Sequence, residues 1–66
     1  MISYKPFWKT LKKANISQYQ LQAQGISHST LTRLKRDENV STDTINKLCS
    51  ILDCEVGDIM EFVEGK

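Results

Sequence analysis

The stretch Gly25-Ile26-Ser27-His28-Ser29-Thr30-Leu31-Thr32-Arg33-Leu34-Lys35-Arg36 decides how this chain is read. Its first three residues form a very short connection between two helices. Glycine accepts the left-handed backbone that often follows a helix, so Gly25 is expected to end one. Ser27 suits the start of the next, where its side-chain oxygen can accept a hydrogen bond from an otherwise unpaired backbone N–H. Ile26, the apolar residue between them, is expected to plug the angle between the two helices. A three-residue connection with Gly in its first position is the signature of a helix-turn-helix.

The helix that follows has two faces. At about 100° per residue, His28, Ser29, Thr32, Arg33 and Arg36 fall on one polar stripe, while Leu31 and Leu34 point roughly the opposite way. A wet helix face ordinarily carries a carboxylate, and this one has none. Its groups match the edges of base pairs. An arginine can bond bidentately to guanine O6 and N7, worth about 1–3 kcal/mol of discrimination, and a threonine methyl can touch the thymine methyl.

Working outward, the pattern of an aliphatic residue, then Ser, then an apolar residue four positions on recurs as Ile16-Ser17…Leu21, Ile26-Ser27…Leu31 and Val40-Ser41…Ile45. Each has the form of a capped helix start with a hydrophobic staple, and Gln20 completes a capping box with Ser17. Ahead of these, Tyr4, Phe7, Trp8 and Leu11 lie at i, i+3, i+4 and i+7, one apolar stripe, with Pro6 in a first turn and Asn15 at the end. Ile45, Leu48, Cys49 and Leu52 repeat that spacing. The predicted helices are 5–14, 18–24, 28–36, 42–53 and a short fifth over 56–62, where Gly57 weakens the pattern and Asp58 suits the positive N-terminal end. In the second helix Tyr19 and Leu21 are expected as apolar anchors and Ala23 as a small contact. Phe7, Trp8 and Met60 are expected in the core. No strand alternation is predicted.

The formal net charge of +1 conceals a division. Residues 1–36 carry seven Lys and Arg and no Asp or Glu, whereas residues 37–66 carry eight acids against Lys47 and Lys66. Such asymmetry suggests one side that faces a polyanion and one turned away from it. The other features exclude. Sixty-six residues, 39% hydrophobic and 26% charged, make one small domain with no apolar run long enough for a membrane span and no secretory signal pattern. Cys49 and Cys54, with no His nearby, match neither a zinc site nor a disulfide framework, and helical spacing is expected to point them apart. His28 has no second ligand or oriented nucleophile, and Ser27 and Ser29 have no partner base, so neither metal chemistry nor acyl transfer is supported. The expectation is a cytoplasmic protein with free thiols, no enzyme activity, no cofactor and no small-molecule ligand.

The stretch from Ile16 to Phe62 resembles the Cro/repressor-type, or Xre-like, helix-turn-helix domains. The resemblance rests on Gly25 through Leu34, on Ser41-Thr42-Asp43-Thr44-Ile45, on Leu48-Cys49 with Ile51-Leu52-Asp53-Cys54, and on Asp58-Ile59-Met60-Glu61. It implies an all-α, five-helix, lambda-repressor-like domain spanning 1–66, and a short stand-alone regulator of transcription, expected to be a repressor, that binds double-stranded DNA. By resemblance the helix 28–36 enters the major groove, with His28, Ser29, Thr32 and Arg33 at base-reading positions. Ser17 and Gln18 resemble the part that grips phosphate, a role to which Lys12, Lys35 and Arg36 can add. Two departures stand out. The second helix is about one residue shorter than the family spacing, and the loop after the third is acidic, Asp37-Glu38-Asn39-Val40, where many phage repressors are basic. One module covers only a few base pairs, so two copies are expected to pair on a two-fold site, with the short fifth helix and its exposed end Phe62-Val63 as the candidate contact. The alternative is a protein-binding module, antitoxin-like or an adaptor, whose acidic half docks a basic partner and whose helix-turn-helix is scaffold only.

Overall fold

The computed structural model describes residues 1–65; Lys66, the last residue of the expected domain, lies outside them. Four helices form in the order α1 (Lys5–Ala14), α2 (Gln18–Ala23), α3 (His28–Lys35) and α4 (Thr42–Leu52). The three serine starts hold. Ser17, Ser27 and Ser41 sit in extended backbone, and their side chains accept from the N–H groups of Gln20, Thr30 and Thr44. The capping box at Ser17 is closed in both directions, with the Ser17 N–H donating to Gln20 Oε1 at 2.7 Å. Pro6 lies in the first turn of α1, where its missing donor costs nothing.

All four helices stop in the same way. A residue with positive φ follows each: Asn15 at 58°, Gly25 at 102°, Asp37 at 55° and Asp53 at 51°. The next residue's N–H then reaches back five positions, as in Ile16 to Leu11 O at 3.2 Å, Ile26 to Leu21 O at 3.0 Å, Glu38 to Arg33 O at 2.9 Å and Cys54 to Cys49 O at 3.0 Å. This closure satisfies carbonyls that a helix end leaves unpaired. It also turns Ile16 and Ile26 back onto the apolar interior.

The core is built from Tyr4, Phe7, Leu11, Leu21, Ile26, Leu31, Leu34, Ile45, Leu48, Leu52 and Ile59, so every helix contributes its apolar stripe to one cluster. Trp8 and Met60 pack on its margin, and Trp8 meets Phe7 edge-on with ring centroids 4.7 Å apart. Two expectations for α2 are corrected. Tyr19 is 80% exposed and Ala23 is exposed as well. Each is two residues from Leu21, about 200° around the helix, so the turn that buries Leu21 faces both toward solvent.

The expected five-helix count is corrected too. Val56–Asp58 form a single 3-10 turn, and the chain then extends into a strand, Glu61–Phe62 (β2). It pairs antiparallel with Ile2–Ser3 (β1), in the register Ile2 opposite Phe62 and Ser3 opposite Glu61. Tertiary contacts compete with a fifth helix here. The Phe7 N–H, one of the unpaired donors at the start of α1, takes the Ile59 carbonyl at 3.1 Å, and the Thr10 hydroxyl takes the Asp58 carbonyl at 2.7 Å. Met1 and Val63 extend the ladder by exchanging two bonds of 2.7 Å. Strands two residues long are too short for any alternation to show in a sequence.

Candidate nucleic-acid interface

The connection between α2 and α3 takes the form expected from Gly25. The Gly25 N–H bonds the Gln22 carbonyl at 3.1 Å while Ile26 closes onto Leu21, and Ile26 is buried. Nothing lies within 4 Å of a Cβ built on Gly25, so its positive φ alone demands glycine there. Leu31 and Leu34 are buried beneath α3. With that face pinned, helical geometry sends the other outward: His28, Ser29, Arg33, Lys35 and Arg36 are all exposed, and Thr32 is half-buried.

Several of these groups are already partly engaged. The Thr32 hydroxyl donates to the His28 carbonyl at 3.1 Å, which leaves its methyl and its lone pairs free. Ser29 Oγ lies 3.1 Å from Ser27 Oγ, within the hydroxyl cluster that caps α3. His28 and Arg33 make no side-chain bond among the described residues. The ion-pair pattern is informative. Among the described residues the one salt bridge is Lys47–Asp43, 3.8 Å, within α4 and exposed. The seven cations of residues 1–36 therefore carry no acidic partner there, and their charge is available to an outside anion.

The expected phosphate-contacting residues divide between two places. Lys12 and Ser17 line one shallow depression of about 340 Å³ with Asn15, Ile16 and Gln20, where α1 ends and α2 begins. Gln18 is half-buried beside it. The capping box occupies the Gln20 N–H, while the N–H groups of Gln18 and Tyr19 in the first turn fall outside the intrahelical pattern. Lys35 and Arg36 stand at the other end, on the last turn of α3 and its cap. Tyr19, exposed on α2 next to Gln18, joins the candidate surface. Its distance of two positions from Leu21 was the signal that it faces away from the core.

The acidic loop after α3 has a structural task. Asp37 Oδ1 accepts the Tyr4 N–H at 2.9 Å, so the carboxylate ties the end of α3 to the start of α1. A basic residue in its place would lose that acceptor.

A family model described as the Cro/C1-type HTH DNA-binding domain matches residues 7–65. The chain belongs to that family. Among solved structures, the crystal structure of the transcriptional regulator VanUg, form II, is similar to it with a TM-score of 0.87 and 35% sequence identity, over 97% of this chain and 87% of that one. No curated protein sequence matches. In this Cro/C1-type domain the family match begins at Phe7, so β1 and the first two residues of α1 precede it, while Gly25, the face of α3 and β2 all fall inside.

Proposed function

We propose that this Cro/C1-type domain is a sequence-specific regulator of transcription, acting as a repressor, and that it binds double-stranded DNA by laying α3 in the major groove. One observation carries the reading: a carboxylate-free polar face, exposed from His28 to Arg36, backed by the buried Leu31 and Leu34 and set by the Gly25 turn. His28, Ser29 and Arg33 are the base-reading residues, and Thr32 supplies its methyl. Lys12, Ser17 and Gln18 take phosphate on one side, with Tyr19 offering its hydroxyl, and Lys35 and Arg36 take it on the other. The N–H groups of Gln18 and Tyr19, which have no intrahelical partner, suit a phosphate oxygen. The likeness to a transcriptional regulator supports the assignment at the level of the whole chain.

A module of this size buries about 600–1,000 Å² against DNA, which is small for selectivity in a genome. Two copies on a two-fold site, with half-sites about one helical turn apart, supply the rest. Selection of random duplexes by the purified protein tests all of this together, because it returns a half-site and its symmetry. Arg33→Ala is expected to weaken the selected duplex by about 1–3 kcal/mol and to relax the preference at one base pair. Lys12→Ala is expected to weaken all duplexes alike and to make a salt slope of about −3 shallower by about one. Duplex binding that both substitutions leave unchanged would instead favour the protein-binding module, with the helix-turn-helix as scaffold.

A further inference from the structure

Cys49 and Cys54 lie in the acidic half of the sequence, outside the α3 face. On a continuous helix, residues five apart are rotated about 140° from one another, and their side chains diverge. The chain does not continue as a helix here. Asp53 takes φ 51°, and the Cys54 N–H folds back to the Cys49 carbonyl at 3.0 Å. These are the two positions whose side chains regularly meet at such a helix end. The expectation that the thiols point apart is therefore corrected: the left-handed Asp53 turns Cys54 back toward Cys49. Both thiols are free and half-buried, and both line an open groove of about 680 Å³ with Ile45, Val56 and Met60. The groove gives a small reagent a path to them. Burial first, and then the adjoining Cys49 sulfur, push the Cys54 thiol up to about 11.

We propose that Cys49 and Cys54 form a dithiol site, and that a small disulfide oxidant closes it into an intramolecular disulfide across the end of α4. Cys49 attacks the oxidant first. The Cys49 thiol gives its proton to solvent, and its sulfur forms a bond to one sulfur of the oxidant. The oxidant's own S–S bond breaks, and the departing thiolate takes up a proton. Cys54, releasing its proton to water, then attacks the Cys49 sulfur of this mixed disulfide. The bond between Cys49 and the reagent breaks, and a second small thiol leaves. Two protein thiols lose two electrons and two protons, and the oxidant gains them as two thiols. The product pins the end of α4 to the chain leading into the 3-10 turn at Val56–Asp58.

The test uses a buffer of 2-hydroxyethyl disulfide and 2-mercaptoethanol, a neutral pair that Glu55 on the groove wall does not repel. Intact mass of the folded protein is expected to show a monomer lighter by two hydrogen atoms. Cys49→Ser and Cys54→Ser are expected to stop at a single mercaptoethanol adduct on the remaining thiol. The equilibrium constant for closure should be about tenfold or more greater in the folded chain than in guanidinium, because the fold holds the sulfurs together. Folded protein carrying two adducts, disulfide-linked dimers without a closed monomer, or equal constants in the two states would each overturn the proposal.

Discussion

At Gly25 the backbone alone determines the residue. Its φ of 102° lies where a β-branched side chain is strained, and a Cβ there would touch nothing within 4 Å. Gly25→Val should therefore cost only conformational strain, about 1–2 kcal/mol, and lower Tm by roughly 4–8 °C per kcal/mol. A calorimetric Tm within about one degree of the parent would show that the turn does not need glycine. Cys54 allows a pH prediction. Its folded-state value is raised from an ordinary 9.0 to about 11, so the fold favours the protonated thiol. The stability this contributes is fully present below about pH 9 and is lost as pH rises toward 11. Denaturant midpoints measured from pH 7 to 11 should fall more steeply for the parent than for Cys54→Ala.

For the elements, helix starts and helix ends differ in how visible they were. The starts depended on a serine and its immediate neighbours, and the sequence located all three, Ser17, Ser27 and Ser41. Two ends were also visible, at Asn15 and Gly25, because those residue types tolerate left-handed backbone. Asp37 and Asp53 perform the same task, yet aspartate also suits exposed loops and helix starts, so neither announced itself as a stop. The predicted helices 18–24, 28–36 and 42–53 each ran one residue into the cap. Since Ser41 is not one of the residues of the α3 face and caps α4 through Thr44 at 3.1 Å, it gives a clean test of a cap. Ser41→Ala should destabilise the protein by about 1 kcal/mol in a denaturant titration, with the slope of the transition unchanged.

For the whole molecule, a few long-range bonds join segments that the sequence keeps far apart. Asp37 accepts from Tyr4, Ile59 from Phe7, and β1 pairs with β2 across nearly the full length of the chain. Asp37→Ala removes an acceptor from the Tyr4 N–H and places a Cβ-bearing residue without a polar side chain at φ 55°. A loss of about 1–3 kcal/mol is expected, while Asp37→Asn, which keeps an oxygen acceptor and tolerates left-handed backbone, should retain most of the stability. Thermal melts of the two variants side by side check this. Equal losses would assign the effect to the negative charge rather than to the hydrogen bond.

The sequence by itself determined what local physics controls: three serine-capped helix starts, the glycine turn, the apolar stripes and the carboxylate-free face of α3. Each is encoded within about one or two helical turns, where side-chain spacing and backbone preference act directly. Only the tertiary structure decided the rest. The stretch from Val56 to Phe62 became a 3-10 turn and a strand because α1 and β1 claim its carbonyls and its edge. Tyr19 faced solvent because burying Leu21 left it on the far side of a six-residue helix. Asp37, which in sequence looked like part of an acidic loop, became the tie between α3 and α1 because its partner lies thirty-three residues away, beyond the reach of any local pattern.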